Sequence, residues 1–151
     1  ELQFPDYYNL KYNMGLPSIE EIQETINVNT AVLSYFIGSE RLYIFQITKN
    51  DFKTFNISAG NNFERSLSGF RNSIYYGIKD SYVSIAYDLY NQLIPKLNRS
   101  IDQLIIIPAG KLGIIPFEAL LTSKTKGDVN YSALLILLTI IRLAFNIPQP
   151  Y

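Results

Sequence analysis

The chain has 151 residues, 48% of them hydrophobic, which suits one domain with a real core. Thirteen basic and thirteen acidic residues cancel, so there is no electrostatic case for a nucleic-acid partner. There is no Cys and no His; this excludes disulfides, thiolate chemistry, zinc sites built from those ligands, and any Ser–His or Cys–His dyad assembled from this chain alone.

Residues 1–17 carry scattered aromatics and end in Pro17, which predicts an extended arm or linker docking through Tyr7, Tyr8 and Tyr12. The start at Glu1 reads as a processed product or a piece of a longer chain, and its polar, aromatic character does not fit a signal peptide. Ser18 and Glu21 have capping-box spacing and predict a helix start. Ile19, Ile22 and Ile26 then share one face. From Thr30 the period changes. The runs "TAVLSYFIG", "RLYIFQITK" and "FKTFNI" predict hairpin strands, with turns at Gly38-Ser39 and Lys49-Asn50-Asp51 and positive φ available to Gly38. The frequent Tyr and Phe favour sheet. The middle run is apolar on both faces, which predicts cover on both sides.

Helical spacing returns at Asn62, with Phe63, Leu67, Phe70 and Ile74 on one stripe. A second helix follows Asp80-Ser81, with Val83, Ala86, Tyr90, Leu93 and Leu97 on its stripe and Pro95 to break or kink it. In "IDQLIIIP" a short apolar run, Leu104 to Ile107, is entered from a helix and stopped by Pro108. That is the pattern of a parallel strand buried on both faces. The order of hairpin strands, two helices and central strand implies a crossover and an α/β layer fold. Pro116 to Leu121 predicts one helical turn and Thr122 to Asn130 a polar loop. The last apolar run, Leu134 to Ile141, has the length of a strand, with a Leu-rich helix as the alternative. The wider run from Ala133 to Phe145 contains Arg142 and falls short of the roughly 20 apolar residues a membrane span needs, so no membrane is expected.

Gly110-Lys111 invites a phosphate-cradle reading, which fails on spacing. A P-loop requires Gly four residues before the Gly-Lys pair and Ser or Thr after it; Ile105 and Leu112 occupy those positions. Gly110 and Gly113 are too few for a dinucleotide fingerprint. Glu118 follows the carboxyl end of a strand, where open α/β sheets bind ligands. A single carboxylate without a spaced partner reads more simply as a cap or ion pair of the loop. Asp6, Glu20, Glu24 and Asp88 read as ordinary surface residues. The sequons at Asn56, Asn98 and Asn130 are ones that abundant Asn and Ser produce by chance. No catalytic residue, cofactor site or metal site is assigned from these residues.

The stretch "LIIIPAGKLGIIPFEALL" resembles the CHAT domain, a family of caspase-like cysteine peptidases often found after tetratricopeptide repeats, notably in bacteria. Pro108, Gly110, Pro116, Phe117, Glu118 and Leu120 match its motif; Ala109 stands where Asp is common and Ile115 where Leu is common. "VLSYFIGSERLYIFQITK" is similar to the family's opening hairpin and "AYDLYNQLIPKL" to its helix before the central strand. The resemblance implies a caspase-like layered α/β fold, with antiparallel hairpin strands joined to a central parallel strand and helices on the faces. It makes 18–151 a partial CHAT-like domain after the 1–17 arm. It also implies amide hydrolysis by a Cys nucleophile and a His base on loops that follow this motif. After Leu121 there is neither residue, so no catalytic role is carried over and the motif's job here is positional.

Two functions follow as expectations. One is the N-terminal part of such a peptidase domain, inactive as this chain, within a parent that is itself a cysteine peptidase and carries tetratricopeptide repeats. The alternative is a non-catalytic scaffold whose caspase-like sheet binds a protein or peptide partner. Cysteine usage gives no compartment, and cytoplasm is the default.

Overall fold

The computed structural model describes residues 17–124 and the strand at 139–142. In chain order the elements are α1 (Ile19–Thr25), β1 (Thr30–Ile37), β2 (Arg41–Thr48), β3 (Asp51–Ser58), α2 (Asn61–Tyr75), α3 (Lys79–Leu93), β4 (Gln103–Ile107), two 3-10 turns (Gly110–Ile114 and Phe117–Ala119) and β5 (Thr139–Arg142). The strands form one five-stranded sheet in the order β3-β2-β1-β4-β5. The expected arm, the sequon at Asn130 and most of the last apolar run lie outside the described residues. Thr139–Arg142 pairs parallel with β4, so that part of the run is a sheet strand.

Local chemistry sets the first elements. The Ser18 hydroxyl accepts from the Glu21 N–H at 3.2 Å and the Glu21 carboxylate accepts from the Ser18 N–H at 2.8 Å, closing the capping box. The β1–β2 hairpin turns through Ser39-Glu40, with the Gly38 N–H donating to the Arg41 carbonyl at 2.8 Å. Gly38 keeps a negative φ and does not use the positive φ open to it, since it precedes the turn's apex. β2 and β3 pair from Arg41↔Ser58 to Thr48↔Asp51 across Lys49-Asn50.

The parallel step comes next. β4 pairs with β1 from Thr30↔Gln103 to Ser34↔Ile107 and has β5 on its other side, so it lies inside the sheet as the apolar run predicts. Parallel neighbours need a crossover, here the path through β2, β3, α2 and α3. A polar latch fixes the register at the entry end. The Asn29 carbonyl accepts from the Asp102 and Gln103 N–H groups at 3.0 and 3.2 Å. The Asn29 amide donates to Asp102 at 2.6 Å and the Thr30 hydroxyl to Gln103 at 2.9 Å.

α2 and α3 cover one face of the sheet. Ala31, Leu33 and Tyr35 of β1, Leu42 and Ile44 of β2, and Leu104 and Ile106 of β4 pack there against Phe63, Leu67, Phe70, Ala86, Leu89 and Leu93. The helical stripes differ from the periodicity reading at their ends. On α2 the last inward position belongs to Ser73, whose hydroxyl donates to the Phe70 carbonyl at 2.7 Å, while Ile74 is exposed. α3 ends at Leu93, ahead of Pro95, so Leu97 packs from beyond the helix and Leu89 holds a central place on the stripe. Between the helices Gly77, at φ +65°, closes a Schellman motif: its N–H donates to the Ile74 carbonyl at 3.3 Å and the Ile78 N–H to the Ser73 carbonyl at 2.9 Å.

Among the described residues the other face is covered at one end. Ile19 and Ile22 of α1, with Ile26 at its C-cap, pack with Val32, Ile47, Ile105 and Ile107. The Gln23 amide pins α1 by donating to the Thr48 and Asp51 carbonyls at 2.9 and 3.3 Å. Beyond α1, Tyr43 and Phe45 are half-buried and Phe36 is 58% exposed. Among the described residues the expected cover of β2 on its second face is supplied at the Ile47 end, by α1, and Tyr43 and Phe45 stay half-buried beyond it. Aromatic side chains satisfy an apolar pattern without being enclosed, since a ring shielded along its edges still faces water. Among the described residues no helix is long and apolar enough to cross a membrane.

Candidate functional site

Pro108 ends β4, and the motif wraps the carboxyl end of the parallel strands. Gly110 takes φ +49°, and a Cβ on it would meet Ile37 Cδ1 at 3.2 Å, so conformation and space both demand glycine. The chain tightens into a 3-10 turn over Gly110–Ile114 with Leu112 buried, and Ile115 then enters the core while Ile114 stays 56% exposed. Pro116 caps a second 3-10 turn at φ −75°, with the Ala119 N–H donating to its carbonyl at 3.0 Å. A single turn is what the sequence predicts, but it is 3-10 and Pro116 is its cap rather than its first residue.

Phe117 is the anchor, 1% exposed, with its ring 5.6 Å from that of Tyr35. The Tyr35 hydroxyl donates at 2.8 Å to the Leu93 carbonyl, one of the acceptors left open at the end of α3. Burial pushes the Tyr35 phenol far above its ordinary pKa, so it is a neutral donor throughout the working range. The Tyr82 hydroxyl donates at 2.7 Å to the Ala119 carbonyl, and its ring stacks on Phe70 at 6.0 Å. Partial burial raises this phenol too. Leu120 is fully buried and closes the motif.

Gly110 offers a comparison with Gly77. At Gly77 a Cβ would meet nothing within 4 Å, so Gly77→Ala isolates the left-handed backbone term, about 1 kcal/mol. Gly110→Ala adds the Ile37 contact and is expected to lose more, about 2 kcal/mol. Urea unfolding of the two variants checks the order; equal losses would show that Ile37 yields freely.

Between this turn and the α2–α3 corner lies a groove of about 420 Å³ lined by Ser73, Ile74, Gly77, Lys79, Tyr82, Pro116, Glu118 and Ala119. Its walls are mostly apolar. Glu118 stands exposed on its rim. The Ser73 hydroxyl is committed to the Phe70 carbonyl. Lys111, the other charge of the motif, ion-pairs with Glu64 at 2.7 Å and ties the loop to α2. This exposed pair is worth little. Its geometry explains the lysine without a phosphate. Among the described residues no cluster of acidic side chains is arranged to hold a metal ion.

The structure brings Pro116, Phe117, Glu118 and Leu120 to one end of the sheet with Pro108 and Gly110. Of these, Pro116 and Glu118 line the groove, while Phe117 and Leu120 are buried in the core. Asn56, on β3, accepts from Arg41, and Asn98 lies in an exposed turn where its Oδ1 accepts from the Ser100 N–H at 3.4 Å. Sequence reasoning missed the far wall, Ser73 to Tyr82; the "YYGIKD" corner was its available signal, since Gly after a helical stripe marks a C-cap. Compared with protein-family models and with curated proteins, the chain matches none.

Proposed function

We propose that this chain is the N-terminal framework of a CHAT-type, caspase-like cysteine peptidase domain, inactive alone, with nucleophile and base supplied by chain that follows it. The observation that carries this reading is the parallel step β1–β4–β5, with the Pro108–Leu120 turn leaving the carboxyl end of its middle strand. Ligands of open parallel sheets bind beyond those ends. A His and a Cys on loops after further strands would face the same edge. The groove beside Glu118 is the part of a peptide cleft this chain would contribute, holding substrate by apolar contact while chemistry is done elsewhere.

A second reading is a non-catalytic scaffold that binds a protein partner. Its support is the apolar rim at the α2–α3 corner, where Tyr75 is 83% exposed and Tyr76 69%, close to Ile74 and Ile78. One experiment separates the two. The 151-residue chain and the product of its parent reading frame are incubated with a fluorogenic peptide library and a thiol-directed covalent probe. The framework reading expects no turnover from the chain and probe-sensitive hydrolysis from the parent. A parent without a cysteine and without turnover supports the scaffold; turnover by the purified chain itself sinks the framework.

A further inference from the structure

The outer edge of β3 lacks the usual guards. Among the described residues no strand pairs with it on the side away from β2. It runs eight residues in unbroken register with β2, without a bulge and without proline. Natural edges are blunted by such features or by charge. Here the two charges of β3, Asp51 and Lys53, sit together at one end and ion-pair with each other. The Ala59 N–H donates to the Glu40 carbonyl at 2.9 Å, so the odd positions of β3 direct their backbone groups toward β2. Backbone direction alternates along an antiparallel strand, and the N–H and C=O groups of Phe52, Thr54, Asn56 and Ser58 therefore face outward.

The side chains along this edge complement themselves. With two copies of β3 laid antiparallel about a two-fold axis at Asn56, Asn56 faces its own counterpart, Thr54 faces the second copy's Ser58, and Phe55 faces the second copy's Ile57. Amide meets amide, hydroxyl meets hydroxyl and apolar meets apolar, while Lys53 faces Ala59. Phe55 and Ile57 lie half-buried at the rim of the core, and this pairing completes their cover. Other registers do worse. An axis at Lys53 sets like charges face to face, and axes at Thr54 or Phe55 set Lys53 against Phe55 or Ile57. The chain's net charge is zero, so no long-range repulsion keeps two copies apart.

We propose that β3 is a dimerisation edge: a second copy of this chain pairs with it antiparallel about a two-fold axis at Asn56, joining two five-stranded sheets into one. Thr54, Asn56 and Ser58 of each copy then exchange backbone hydrogen bonds with Ser58, Asn56 and Thr54 of the other. β2 and β1 separate this edge from β4 and the motif that follows it, and the inference does not rest on the peptidase reading.

Sedimentation equilibrium of the 151-residue chain is expected to show the mass rising toward that of a dimer as concentration increases. Asn56→Pro removes one outward N–H and leaves the β2 ladder intact, since an edge strand tolerates proline where the N–H faces solvent; it should weaken association about tenfold or more. Asn56→Lys, which sets like charges face to face at the axis, should do the same. The chain has no cysteine, so introduced ones report the register. Asn56→Cys meets its counterpart at roughly 5.5 Å between Cα atoms, within disulfide reach. Under mild oxidation it should give a covalent dimer about tenfold faster than Thr54→Cys or Ser58→Cys alone, whose counterparts lie roughly 14 Å away. The double variant Thr54→Cys with Ser58→Cys should crosslink again. A mass that stays monomeric up to about 1 mM overturns the proposal. So does a dimer that survives both Asn56→Pro and Asn56→Lys, which places the contact on another surface. Equal crosslinking at the three single positions overturns it as well, because that is chance collision. If Asn56→Pro loses its fold by circular dichroism, Asn56→Lys and the cysteine series still decide. No readout depends on peptidase activity, so failure here leaves the framework reading standing.

Discussion

Phe117→Ala is expected to lose about 3–5 kcal/mol of unfolding free energy, much of what a small domain has. The ring is 1% exposed and leans on Tyr35, which in turn holds the last carbonyl of α3. Removing it opens a cavity between the motif and the β1–α3 contact, and the neighbouring positions Leu112, Ile115, Leu120 and Leu121 are themselves fully buried and cannot close it cheaply. Ile114→Ala, three residues away on the exposed side, should change stability by about 0.5 kcal/mol or less. Urea midpoints of the two variants at equal slope give the test. A loss below about 1 kcal/mol for Phe117→Ala would remove the ring from its role as anchor.

Alkaline pH should unfold the protein through Tyr35. Its folded-state pKa is raised by burial above the ordinary value near 10. Below pH 10 both the folded and the unfolded chain keep the proton, and the contribution is fully present. Above it the unfolded chain ionises while the folded one does not, so stability falls by about 1.4 kcal/mol per pH unit from this group. Tyr82 and Tyr90 shift in the same direction, by burial, and steepen the fall. Tyr35→Phe should be about 1 kcal/mol less stable at pH 8, for want of the bond to the Leu93 carbonyl. Its profile should be flatter, so that it meets or passes the parent chain by about pH 11. Denaturant titrations at pH 8, 10 and 11 decide it; parallel profiles would mean that the phenol ionises in the folded state.

How much of this was legible in the sequence depended on the range of the interaction. Ser18 with Glu21, and Leu104 to Ile107 before Pro108, involve neighbours in the chain, and the helix start and the inner parallel strand were read correctly from them. The α/β class followed from element order. Reading failed where a distant partner decides. Ile74 fits the α2 stripe, yet Ser73 is the last inward position and Ile74 lies exposed at the corner that Gly77 turns. Gly38 looked like a turn glycine, but the register places the apex one residue later. β2 looked enclosed on both faces from its aromatic content, and among the described residues α1 supplies the second cover at the Ile47 end. At the site, Pro116, Phe117 and Glu118 were visible as a motif. The groove was not, because its opposite wall comes from Ser73 to Tyr82 and only the folded crossover brings the two together.

The Asn29–Asp102 and Thr30–Gln103 contacts join residues 73 positions apart. On a translating ribosome the three-stranded meander is complete well before β4 exists, and at ~5–20 residues per second the wait is roughly 2–10 s. Throughout it β1 offers a bare, β-branched and aromatic hydrogen-bonding edge, the kind that recruits the wrong strand from a neighbouring nascent chain. Productive biogenesis of this protein is thus a race between elongation to Ile107 and capture of that edge, and slow codons between Ser58 and Gln103 would tilt it toward capture.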